Sequence, residues 1–89
     1  MSTVAFTDHL RDHAPDEPVE VAGATVAEAL SAALAGRDRL RSYVFDEQGR
    51  LRRHVAVFVD GKLIADRVAL SDPITPASEL FVMQALSGG

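Results

Sequence analysis

The chain has 89 residues, 47% hydrophobic and 25% charged, with nine Lys and Arg against thirteen Asp and Glu for a formal net charge of −4. That length builds one domain around one core, the apolar content excludes a disordered chain, and the negative balance argues against nucleic acid or an anionic membrane as partner. There is no cysteine, which excludes disulfides, thiolate metal sites and a cysteine nucleophile together and leaves stability to packing.

The first residues lack a basic region followed by an apolar stretch, and no run approaches the roughly 20 apolar residues that span a bilayer, so a cytoplasmic protein is expected. Thr3 to Leu10 starts apolar and turns polar, which predicts a first strand ending near Arg11. Pro15 and Pro18 mark a turn, after which Val19 and Val21 alternate around Glu20 as a half-buried strand, making a hairpin with the first. Thr25-Val26-Ala27-Glu28 has capping-box spacing and opens a helix, with Val26, Ala29, Leu30, Ala33 and Leu34 on one face. Gly36 follows as a C-terminal cap suited to positive φ. Residues 37–42 are strongly charged, with Leu40 the lone apolar residue, and fit either an extension of that helix or a separate short turn.

Tyr43-Val44-Phe45 is a brief apolar patch, Asp46-Glu47-Gln48-Gly49 a turn, and Arg50, Arg52, Arg53 and His54 a basic run. Val55-Ala56-Val57-Phe58-Val59 is β-branched and aromatic. Asp60-Gly61 before Lys62-Leu63-Ile64 is the two-residue signature of a hairpin whose turn positions both need positive φ. Residues 71–78 hold Pro73 and Pro76 and read as a loop, and Glu79 to Leu86 forms a last strand.

The order strand, strand, helix, strand, short strand, strand specifies an α+β fold. The expectation is a ubiquitin-like β-grasp, a mixed sheet of four to five strands with one main helix packed on one face. A split βαβ fold shares the two-strand start but requires a second helix, and no amphipathic run of ten residues follows Gly36. Residues 1–84 would be the domain and 85–89 a flexible tail ending in Gly88-Gly89.

The segment Glu79-Leu80-Phe81-Val82-Met83-Gln84-Ala85-Leu86-Ser87-Gly88-Gly89, with the Thr25 to Leu30 helix start and the Val55 to Gly61 strand and turn, resembles the small β-grasp sulfur-carrier family. That family includes the small subunit of molybdopterin synthase, the thiamine sulfur carrier and the cysteine-biosynthesis carrier. Two departures are Asp60, where Asn is common, and Pro76-Ala77-Ser78, where Gly-Asp often precedes the acid opening the last strand. The resemblance implies that an E1-like, ATP-dependent adenylyltransferase activates the Gly89 carboxylate, sulfur displaces AMP, and the thiocarboxylate feeds a sulfur-accepting biosynthetic enzyme of molybdenum cofactor, thiamine or cysteine type. The chain is then a carrier and not an enzyme, with no bound cofactor, ATP being used by its partner. A carboxylate with a pKa near roughly 3.5 is ionised and a poor electrophile at neutral pH, which is why adenylation must precede attack. Residues 85–89 span about 16 Å when extended, and Ser87 and Gly88 offer little bulk for threading a narrow channel.

Other readings stand beside these. A terminal Gly-Gly arises by chance in about one chain in 200 and also suits a simple flexible end. Strand alternation turns Leu80 and Val82 inward with Val55, Val57 and Val59, leaving Phe58, Phe81 and Met83 outward and, with Leu86, as a docking surface for partners; a covering loop or the opposite register would remove that surface. Asp8, His9, Asp12 and His13 would ligate a metal only on a helix, whereas the segment reads as strand and turn. The basic run suits phosphate or acidic partner groups, or simply a solvated face. The same Gly89 activation also serves a ubiquitin-like modifier conjugated to lysines, or the small subunit of a larger synthase.

Overall fold

The computed structural model describes residues 1–7 and 17–84. Its elements are β1 (Ser2–Phe6), β2 (Val19–Val21), α1 (Val26–Ala33), α2 (Asp38–Val44), β3 (Val55–Val59), β4 (Lys62–Leu63) and β5 (Glu79–Gln84). The strands form one mixed sheet in the order β2-β1-β5-β3-β4. β1 runs antiparallel to β2 and parallel to β5, while β3 runs antiparallel to both β5 and β4. The last strand therefore lies in the middle, as the β-grasp expectation requires.

Period-two patterning fixes which face of this sheet is the core. Val4, Val57, Leu80 and Val82 are buried on the side that receives Leu30 and Leu34 from the first helix and its end. Full burial of each such side chain stabilises the fold by about 1.5–3 kcal/mol. α1 begins as its capping box dictates: the Glu28 N–H donates to Thr25 Oγ1 at 3.3 Å, and the Glu28 carboxylate accepts the Ala24 N–H at 2.8 Å. Gly36 beyond it has φ +74°.

Residues 38–44 are a second, separate helix of seven residues, neither the continuation of α1 nor the short turn that the charged pattern of residues 37–42 suggests, and an addition to the expected element order. Two buried side chains hold it, Leu40 and Val44, one turn apart and both in the same core as α1. β1 ends at Phe6 rather than near Arg11. The Thr7 N–H still reaches the Val82 carbonyl at 3.0 Å, but the Thr7 hydroxyl, instead of its carbonyl, meets the Gln84 N–H at 3.4 Å, so the regular ladder stops. Leu10 and Arg11 lie outside the described residues, and β5 is described only to Gln84, short of Leu86.

Residues 64–74 close the N-terminal end of α1. Asp72 accepts the Ala65 and Asp66 amides through its carboxylate, and Asp66 accepts those of Val68, Ala69 and Ser71 together with the Ser71 hydroxyl. The loop then offers its Asp72 and Leu70 carbonyls to the Val26 and Ala27 N–H groups at 3.0 and 2.9 Å. With Glu28 capped by Thr25, the first three amides of the helix are all engaged. Leu70 adopts φ +55°, unusual for a branched side chain, and is buried in the core.

Candidate functional site

Because β5 and β3 alternate in phase, their outward residues meet. Phe81 pairs with Phe58 and Met83 with Ala56, while Ala5 of β1 lies beside Phe81 on the other flank. Phe81 and Met83 are each 38% exposed, against 2% for Leu80 and 0% for Val82. Thr3, Ala5, Pro18, Phe58, Phe81 and Met83 line one shallow depression on this face. The Asp60-Gly61 turn closes one end of it, with φ of +51° and +83° as a two-residue hairpin demands. The expected register is thus the observed one, and it gathers Phe58, Phe81 and Met83. Leu86 lies outside the described residues.

At the opposite end of the sheet, the last described residue of β5, Gln84, pairs with Val55, the first of β3. Gln84 shares a cleft with Ser42, Tyr43, Arg52 and His54. Around the corner, Arg50, Arg52, Arg53 and His54 line a groove completed by Arg67 and Asp46. The Arg67 guanidinium donates to the Val55 and Arg52 carbonyls at 2.7 and 3.0 Å, and Arg52 Nε donates to the Ser42 carbonyl at 2.7 Å. The Asp46 carboxyl is held below its ordinary pKa, first by the Arg50 backbone N–H, then by that of Gln48 and the nearby Arg50 and Arg52 charges. Arg67 escaped the sequence reading because its contacts reach residues 12 and 15 positions away, with no local signal to betray them.

No cluster of three His, Asp or Glu able to hold a metal exists among the described residues, and Asp8, His9, Asp12 and His13 lie outside them. Among the described residues, no helix is long and apolar enough to cross a membrane. Ser87, Gly88 and Gly89 also lie outside the described residues and follow Gln84 within five positions.

No family model matches the sequence, and no curated protein sequence matches it. Solved structures do match. The crystal structure of SAMP1 from Haloferax volcanii is 30% identical, with 99% of this chain and 98% of that chain covered and a TM-score of 0.81. This chain belongs to the MoaD/ThiS-type β-grasp carriers and modifiers. A second member of that family, CysO of Amycolatopsis orientalis in its complex with BexX, matches at 25% identity over all of both chains with a TM-score of 0.82. CysO of Mycobacterium tuberculosis, at 21% identity over 97% of this chain and all of that one with a TM-score of 0.79, shares the fold. Members of this family are small carrier or modifier proteins with no catalytic role of their own.

Proposed function

We propose that this protein is a sulfur carrier whose reacting group is the carboxylate of Gly89. In the first step a carboxylate oxygen attacks the α-phosphorus of ATP on an E1-like adenylyltransferase, releasing pyrophosphate and leaving an acyl-adenylate. A sulfide-level nucleophile then attacks the carbonyl carbon, AMP departs with the bonding pair, and a thiocarboxylate remains to be transferred to a sulfur-accepting biosynthetic enzyme of molybdenum cofactor, thiamine or cysteine type. The chain supplies a rigid body and a handle, and no general base is asked of it. The observation that carries this reading is the central position of β5, described to Gln84, five residues before Gly89, in a chain with full-length likeness to this family.

In this reading residues 85–89 are the flexible tail, Ser87 and Gly88 thread the partner's channel, and Phe58, Phe81, Met83 and Leu86 form the docking face. A cytoplasmic setting follows from the need for ATP and sulfide at the partner enzyme.

The intact mass of the protein from its own cells, handled to preserve thioacids, tests it. A gain of about 16 Da at Gly89, one oxygen exchanged for sulfur, is expected. An unmodified mass together with no ATP–pyrophosphate exchange by the activating enzymes of the same cells would overturn it. One similar structure is that of the small archaeal modifier protein 1 of H. volcanii, which supports a second reading in which a lysine amine replaces sulfide and Gly89 ends in an isopeptide bond. Ladders of conjugates on target proteins, dependent on Gly89 and lacking any thiocarboxylate, would select the modifier.

A further inference from the structure

The groove of Arg50, Arg52, Arg53, His54 and Arg67 is at odds with the chain as a whole. It gathers four of the nine Lys and Arg residues, with a single acid, Asp46, on its wall, in a protein of net charge −4. Asp46 Oδ1 accepts the backbone amides of Gln48 and Arg50, both at 2.9 Å, which fixes the acid in the wall, and four arginines against this one acid leave the groove positive. Arg52 and Arg67 spend guanidinium N–H groups on backbone carbonyls and so build the wall, while Arg50 and Arg53 stand exposed at its rim. Placement is the second observation. Arg52 and His54 line this groove and also the cleft that contains Gln84, so the positive region reaches the last described residue of β5, five positions before Gly89.

We propose that this arginine groove seats an acidic segment of the activating enzyme, as a contact separate from the apolar sheet face. The inference rests on the reading of Gly89 as the reacting residue. Arginine presents planar, permanently charged forks that pair bidentately with carboxylates. A local positive patch on an acidic body orients the encounter, because the rest of the surface repels the acidic rim that the groove attracts. An apolar face alone leaves the rotation of the carrier over the channel mouth loosely set, and a charged contact beside the tail root sets it.

The test uses the full chain with Arg50→Glu and Arg53→Glu together, both rim positions away from the backbone contacts made by Arg52 and Arg67, assayed by ATP–pyrophosphate exchange with the activating enzyme. The expected result is a KM for the carrier raised about tenfold with kcat unchanged, and a wild-type KM that rises with salt while that of the charge-reversed variant falls. A charge-neutral pair, Arg50→Gln with Arg53→Gln, should fall between the two; the Glu pair, which loses the Arg50–Asp46 attraction, should melt somewhat lower, with all three proteins fully folded at the assay temperature. Turnover of wild type with the same KM in the Glu variant overturns the proposal alone. No turnover of wild type with any activating enzyme overturns the Gly89 reading, and this inference with it. Retention of wild type on single-stranded DNA, lost in the Glu variant while KM is unchanged, would assign the groove to nucleic acid and overturn the acidic-segment proposal.

Discussion

Asp60 and Glu79 grip one another's backbone across the sheet: the Asp60 carboxylate accepts the Glu79 N–H at 2.9 Å, and the Asp60 N–H donates to the Glu79 carbonyl at 2.9 Å. One residue turns the β3–β4 hairpin, at φ +51°, and the other opens the central strand. Their reciprocal bonds pin the register in which Val59 faces Leu80 and hence the pairing of Phe58 with Phe81. The position demands a side-chain acceptor and tolerance of positive φ, both of which Asn also supplies, so Asp here is compatible with a family in which Asn is common.

Asp60→Asn should therefore shift unfolding stability by less than about 0.5 kcal/mol, whereas Asp60→Ala, losing the acceptor and straining the turn, should cost about 1–2 kcal/mol. Urea midpoints of the three proteins decide this. An alanine variant as stable as wild type would mean that the strand ladder alone holds Glu79.

Acid should loosen the loop that closes α1. The Ser71 hydroxyl, followed by the backbone amides of Ala69, Val68 and Ser71, lowers the Asp66 pKa from 3.8 to about 2. A folded-state pKa below the unfolded one stabilises the fold at pH values above the unfolded pKa, and that contribution fades as pH falls from about 4 through 2. Asp66→Asn should be less stable than wild type at neutral pH and lose less on acidification over that window. Parallel curves for the two proteins between pH 4 and 2 would remove Asp66 as the source.

Phe81→Glu and Met83→Glu place charge on the exposed face and should leave thermal unfolding nearly unchanged while weakening the activating enzyme's affinity by about tenfold or more. Leu80→Glu and Val82→Glu, on the buried face, should abolish folding. Equal damage from all four substitutions in a melting experiment would contradict the two-faced strand.

Gly88→Ala adds one methyl group where the tail is proposed to thread. With misplacement of about 1 Å enough to lower rates by about 100-fold, kcat/KM for adenylation should fall by that order while the melting temperature stays put. Undiminished adenylation would show that the partner's channel is wide at this position.

How far residues disclose their structure depended on how local the deciding contacts are. Thr25 and Glu28 are three apart, Asp60 and Gly61 adjacent, and Phe81 and Met83 two apart, so capping, hairpin and face were all legible. α2 was not, because Leu40 and Val44 become a helical stripe only once a core exists to bury them in a charged segment. Nor did any pattern announce Leu70 as a core residue or Arg67 as part of the basic groove, since both are set by a loop whose bonds reach α1 and β3. Of the candidate site, the apolar face could be read in full as far as Met83, whereas the basic run was visible as composition and gained a shape only from the fold.

The central position of β5 has a mechanical consequence. A pull on the residues after Gln84 loads the hydrogen bonds to β1 and β3 together, lengthwise along both seams, so they must shear as a group instead of opening one at a time like a zip. A terminal strand on the sheet's edge would meet the same load with one seam instead of two. In the proposed carrier role, an enzyme that drew residues 85–89 into its interior would hold a rope tied to the best-anchored beam of the domain, and would let go of an intact protein when it is done.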